Sequence, residues 1–219
     1  MVYGYSSSLA SIIAEHPDLL SLLNRLGIFL GVGNDSVARS AEKHGIDPKF
    51  LTVMLNTYLN SDYFPEEELK EFPLKGICDY LTRTNNYHIE VQLQNVEMHF
   101  RHLVTRNFSP DTNLNSLLDY FKKAKEETVS ALKRENTILA AIASGNQNVI
   151  DNVAEHNASS HPDEEALNDL VNFFIIHLKG QCDPNLSQAV VTSLVSLLRD
   201  MRQNNRIHDR ILIPLIKKA

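Results

Sequence analysis

Residues 184–217 read PNLSQAVVTSLVSLLRDMRQNNRIHDRILIPLIK and carry one helical pattern over almost their whole length. Steps of alternating four and three residues run through Val190, Leu194, Leu197, Met201, Asn204, His208, Ile211 and Leu215. This spacing places all eight side chains on one face of a helix. Two of them, Asn204 and His208, are polar and lie four residues apart. The stretch therefore predicts a long bundle helix that carries two polar side chains into the interior.

Three earlier segments, roughly 74–104, 113–144 and 147–179, have a similar length and amphipathic character. A helix of about 30 residues is about 45 Å long at 1.5 Å per residue. The breaks between the segments are short, which favours antiparallel neighbours. We therefore expect an all-α protein in which residues 73–219 form an up-down four-helix bundle. His161-Pro162 interrupts the third segment, and Pro162 is predicted to start a new helix there.

Residues 1–70 predict a small helical module that precedes this bundle. Helix-starting residues alternate with glycines that end helices: Pro17 and Gly27 bound the first run, Ser36 and Gly45 the second, and Asp47-Pro48 begin the third. The segment from Ser61 to Phe72 contains Pro65 and three consecutive glutamates and is interpreted as a linker.

Composition excludes several classes of protein. The 219 residues carry a net charge of −6 and include nine histidines and two cysteines. No stretch reaches the roughly 18 consecutive apolar residues of a membrane span, and the N-terminus lacks the pattern of a signal peptide. Two cysteines form neither a disulfide framework nor a zinc site by themselves. We therefore expect a soluble cytoplasmic protein that does not associate with a membrane.

Polar residues also interrupt the apolar faces of the other three long segments. In 113–144 the predicted seam is Leu114, Leu117, Phe121, Ala124, Thr128, Ala131, Glu135, Ile138 and Ile142. In 147–179 the seam includes Asn157, Ser160 or His161, and Glu164. In 74–104 two faces are possible, one through Asn85 or Asn86 and one through Asn85 and His88. Polar and ligand sites in helix bundles are built from side chains on the inward faces of the helices, and histidine is a common metal ligand. These positions are therefore candidates for a polar site in the bundle.

With these features the chain resembles the repair-of-iron-centres proteins, which join a small cysteine-bearing helical domain to a hemerythrin-like di-iron bundle. The local matches are Leu26-Gly27-Ile28, Gly45-Ile46-Asp47, Ile77-Cys78-Asp79-Tyr80-Leu81 and Ile211-Leu212-Ile213-Pro214. The family's Cys-Cys pair is absent, because Gly31 and Val32 occupy its place. The resemblance therefore implies the fold but no thiol chemistry.

The resemblance also assigns positions to the family's metal ligands. It places a first-helix histidine on Asn86 and another near His99 or His102, and a third-helix histidine on His161 or Ser160. The family's second-helix His-x-x-x-Glu pair falls on Ala131 and Glu135, and its last His-x-x-x-Glu pair falls on Asn204 and His208. Three ligand histidines and one bridging carboxylate are thus replaced. The resemblance implies a vestigial site lined by Asn86, Ala131, Glu135, His161, Asn204 and His208.

Two functional hypotheses follow. In the first, the chain is a non-enzymatic regulatory or interaction protein with no cofactor and no catalytic residue, in which Glu135 pairs with His161 or His208. Its partner is a protein or a second copy, and the apolar residues Ile28, Phe29 and Leu30 are candidates for an interface, against another copy or against the bundle. In the second, His102, Glu135, His161 and His208 hold iron for iron-sulfur repair or for an oxygen or nitric oxide stress response.

A third hypothesis, nucleic-acid binding, is disfavoured by charge. The sequence from Ser36 to Asp47 superficially resembles part of a helix-turn-helix motif. Residues 1–60, however, contain four basic residues, Arg25, Arg39, Lys43 and Lys49, against five acidic ones. Phosphate binding requires a net basic face, so nucleic acid is not the expected partner.

Overall fold

The computed structural model describes residues 2–65, 72–107, 112–156 and 164–217, and within these ranges every regular element is helical. The α-helices are α1 (Leu9–Glu15), α2 (Leu19–Arg25), α3 (Val37–Lys43), α4 (Pro48–Leu59), α5 (Leu74–Tyr87), α6 (Leu93–Arg106), α7 (Leu114–Ala143), α8 (Gln147–His156), α9 (Glu164–His177), α10 (Pro184–Ile207) and α11 (Ile213–Ile216). Two π-helical turns, π1 (His88–Gln92) and π2 (His208–Leu212), follow α5 and α10 directly. The all-α prediction is confirmed.

Side chains and glycines in the sequence set the ends of the short N-terminal helices. Ser36 and Asp47 accept hydrogen bonds from the first backbone N–H groups of α3 and α4, as the sequence predicts. Ser8 does the same for α1, which was not among the predicted helices. Gly27 and Gly45 follow α2 and α3 with φ of 82° and 67°, a conformation in which a Cβ atom is strained.

The long helical segments lie close to their predicted positions, with two additions. The segment predicted at 74–104 consists of α5, π1 and α6, and the segment predicted at 184–217 consists of α10, π2 and α11. Each π turn begins at a histidine. A π turn contains one residue more than the α-helical repeat accommodates, and such turns are frequent at functional sites. The break at His161-Pro162 lies outside the described residues.

The chain divides into two compact units. The first contains Met1–Thr84, Ile138–Ser159 and Arg202–Ala219, and the second contains Asn85–Thr137 and Ser160–Met201. The division therefore does not separate residues 1–70 from the rest of the chain. Helices α5, α7 and α10 contribute residues to both units.

One hydrophobic core in the first unit joins the N-terminal helices to parts of the long helices. Its buried members include Leu23 of α2, Tyr58 of α4, Ile77 of α5, Leu139 of α7 and Ile211 of π2. Ile28 is buried in the same core, whereas its neighbours Phe29 and Leu30 are 66% and 72% exposed. The N-terminal helices thus share their core with apolar side chains as distant in the sequence as Ile211.

The second unit has its own core, built from α6, α7, α9 and α10. Phe100 is central, because its ring stacks on Phe121 at 5.7 Å and meets Phe174 edge-on at 5.0 Å. Beside this core, the Lys125 ammonium donates to the Glu97 carboxylate, and this bond holds the pKa of Glu97 below its usual range.

Burial confirms the predicted seam of the last long segment and corrects that of α7. All eight seam residues from Val190 to Leu215 are buried. In α7 the buried positions after Thr128 are Leu132, Leu139 and Ile142, so the predicted Ile142 is buried whereas Ile138 is 40% exposed. The prediction for Ile138 was wrong because it followed a fixed four-three alternation, whereas a straight helix of 3.6 residues per turn drifts away from that repeat.

Among the residues that the structure describes, no helix combines the length and apolar character needed to cross a bilayer.

Replacing Ile211 with alanine tests the shared core of the first unit. Ile211 is fully buried, so Ile211→Ala is expected to lower the free energy of unfolding by about 2–4 kcal/mol. Amides of α2 and α4 are expected to exchange faster in the same variant. Chemical denaturation and hydrogen–deuterium exchange measure the two effects. Ile138→Ala, on the exposed face of α7, is the matched control and is expected to change neither. Unchanged exchange in α2 and α4 of the Ile211 variant would contradict a shared core.

Candidate functional site

Four polar side chains are buried along the last turns of α10 and the start of π2. They are Asp200, Gln203, Asn204 and His208, each no more than 7% exposed. A buried polar group is costly unless it has a hydrogen-bond partner, because it has given up its hydrogen bonds to water. The partners of these side chains therefore define what the polar interior of this protein can do.

Asn204 is hydrogen-bonded to a tyrosine of α5. The Tyr80 hydroxyl donates to Asn204 Oδ1 at 2.7 Å, and Tyr80 itself is fully buried. Arg25 Nη1 of α2 donates to the hydroxyl oxygen of Tyr80 at 3.5 Å. The tyrosine oxygen thus links α2, α5 and α10 in the first unit.

Gln203 binds the loop before α2. Its Nε2 donates to Asp18 Oδ2 at 2.7 Å, while the Tyr58 hydroxyl of α4 donates to the backbone carbonyl of Asp18 at 3.3 Å. Asp18 immediately precedes α2, so both contacts fix the position at which that helix starts. The N-terminal helices are therefore held to α10 by polar contacts as well as by the hydrophobic core.

His208 begins the π2 turn and is buried, and its Nδ1 lies 3.1 Å from Asp209 Oδ1. Two residues further on, Arg210 Nη1 donates to the backbone carbonyl of Tyr63 at 3.0 Å, and its guanidinium lies 4.1 Å from the centre of the Phe64 ring. The π2 turn is thus anchored to the segment that follows α4.

In the second unit, Asp200 pairs with His88. The Nε2 atom of His88 lies 3.1 Å from Asp200 Oδ2, and both side chains are buried, His88 at 2% exposure. The opposite ring nitrogen, Nδ1, is buried without a hydrogen-bond partner in the described part of the chain. A carboxylate that accepts from one ring nitrogen fixes the tautomer and the orientation of the ring, as it does beside metal-ligating histidines.

Three asparagines form a chain of amide hydrogen bonds in the same unit. Asn85 Nδ2 donates to Asn136 Oδ1 at 3.0 Å, and Asn136 Nδ2 donates to Asn86 Oδ1 at 2.9 Å. Asn85 is buried, whereas Asn86 is exposed. Of the two positions that the sequence left open on α5, Asn85 is the interior one.

The residues predicted to line a vestigial site differ in burial and in unit. Asn204 and His208 are buried in the first unit, while Asn86 is exposed and Ala131 and Glu135 are half-buried in the second. His161 lies outside the described residues. The pairing of Glu135 with His161 or His208 therefore stays a prediction.

Metal ligation was predicted, as the alternative, through His102, Glu135, His161 and His208. The His102 side chain is exposed on α6, and His99 is half-buried. Within residues 2–65, 72–107, 112–156 and 164–217, no group of three or more His, Cys, Asp or Glu side chains is placed to hold a metal ion. Because His161 is not among these residues, the four-residue set is not tested.

Two residues of the polar interior were not predicted from the sequence: Tyr80, which bonds to Asn204, and Asp200, which bonds to His88. Tyr80 lies within the Ile77–Leu81 match, but an aromatic residue in an apolar pattern looks like an ordinary core residue. Asp200 lies four residues before Asn204, but the predicted seam steps from Leu197 to Met201 and therefore leaves Asp200 out. The signal that was present is the i, i+4, i+8 spacing of Asp200, Asn204 and His208 on one helix.

Comparisons with known proteins identify no relative. No family model, no curated protein and no solved structure matches the chain. The resemblance to iron-centre repair proteins therefore remains a hypothesis from the sequence.

Removing the Tyr80 hydroxyl tests the contact with Asn204. Tyr80→Phe keeps the ring and removes a buried donor, so we expect the free energy of unfolding to fall by about 1–2 kcal/mol. Tyr5→Phe is the matched control, because Tyr5 is exposed. The double variant Tyr80→Phe with Asn204→Leu is expected to lose less than the sum of the single variants, since both polar partners are gone. Equal effects of Tyr80→Phe and Tyr5→Phe in chemical denaturation would contradict the contact.

The two free cysteines differ in burial and are expected to differ in reactivity. Burial raises the pKa of the Cys78 thiol to about 12, and burial also raises the pKa of Cys182, which is less enclosed. Because the thiolate is the reactive form, iodoacetamide at mildly alkaline pH is expected to modify Cys182 first and Cys78 only after denaturation. Peptide mass spectrometry measures the order. Rapid labelling of Cys78 in the folded protein would contradict the burial of its side chain on α5.

Proposed function

We propose that this chain is a non-enzymatic regulatory or interaction protein, hemerythrin-like in fold, in which hydrogen-bonded side chains replace a di-iron site. The observation that carries the proposal is the bond between Tyr80 and Asn204. The resemblance assigns a metal-ligating histidine to position 204, and the amide found there accepts a hydrogen bond of 2.7 Å from a fully buried tyrosine. A neutral amide satisfied in this way needs no cation.

The charges of the proposed site support the same conclusion. Two iron ions in a low-dielectric interior require anionic bridges to offset their charge. The resemblance assigns these bridges to Glu135 and to position 208, and position 208 holds histidine. Asp200, a buried carboxylate of the second unit, is already bonded to the His88 ring. Of the two bridging positions that the resemblance assigns, only position 135 therefore holds a carboxylate.

The finer architecture is part of the proposal. We assign the four staves of an up-down bundle to α5 with π1 and α6, to α7, to α8 with α9, and to α10 with π2 and α11. Short connections favour this antiparallel order, because only three residues separate Ala143 from Gln147, and one of them is Gly145 with φ of 75°. The N-terminal helices then form a module built onto one part of the bundle helices.

A protein partner fits the surface better than a nucleic acid does. Neighbouring apolar side chains are exposed in pairs, Phe29 with Leu30 and Ile175 with Ile176. Exposed apolar groups of this kind are typical of protein contacts, whereas a chain with a net charge of −6 repels phosphate groups. The proposed partner is therefore a protein or a second copy of the chain, in the cytoplasm.

One observation favours the second candidate, a metalloprotein with altered ligands that acts in iron-sulfur repair or in an oxygen or nitric oxide response. The His88–Asp200 pair has the geometry found around metal-bound histidines, and Nδ1 of His88 is the ring nitrogen left for a ligand. A single imidazole is a weak site for iron, so this candidate requires further ligands such as Glu135 and His161.

Elemental analysis distinguishes the two candidates. The protein is purified without chelator from cells grown with added iron, zinc and manganese. We expect far less than one metal ion per chain and no rise in melting temperature when iron is added. If the folded state did bind iron, a concentration of 100 times the Kd would add about 2.7 kcal/mol of stability and raise the melting temperature. His44→Ala is the control for adventitious binding, because His44 is exposed and belongs to no proposed ligand set. Stoichiometric metal that persists in His44→Ala and is lost in His88→Leu would overturn the proposal in favour of the second candidate.

A further inference from the structure

We draw no further inference here: the strongest candidate, the exposed apolar tip that Phe29 and Leu30 form in the loop between α2 and α3, is an apolar surface for which nothing in the structure shows what covers it.

Discussion

The need to satisfy buried polar groups on α10 constrains the rest of this structure. Gln203 and Asn204 lie in the interior of the first unit, where they cannot reach bulk water, and their partners are Asp18 and Tyr80. Each partner is on an element that must be correctly placed for its bond to form. The position of α2, the rotation of α5 and the register of α10 are therefore specified together, and a core of leucines and isoleucines alone specifies them less sharply.

These polar contacts also explain how the N-terminal helices belong to the fold. Helices α1 to α3 have only seven residues each, which is too short for stability in isolation. Their apolar faces are buried in a core that includes Ile77, Leu139 and Ile211, and polar bonds from α10 fix the start of α2. The end of α10 and the start of α2 are thus joined by direct contacts within the first unit.

The sequence predicted much of this arrangement because periodicity and capping are local signals. The seam from Val190 to Leu215 and the caps at Ser36 and Asp47 follow from residues that are close in the chain. The partners of Asn204 and Asp200 lie more than a hundred residues away, and no spacing rule connects Tyr80 or His88 to them. The π turns were also missed, because a four-three alternation assumes an uninterrupted α-helix on both sides of His88 and His208.

The coupling energy between His88 and Asp200 is the most direct test of the claim that paired side chains, and not a metal, occupy the polar interior. A double-mutant cycle of His88→Leu and Asp200→Leu, measured by chemical denaturation after exhaustive dialysis against chelator, reports the direct interaction. We expect a favourable coupling of about 1–3 kcal/mol that is the same with chelator and with added iron. A coupling that vanishes in chelator and returns with iron would contradict it, because the two side chains would then interact through a bound ion.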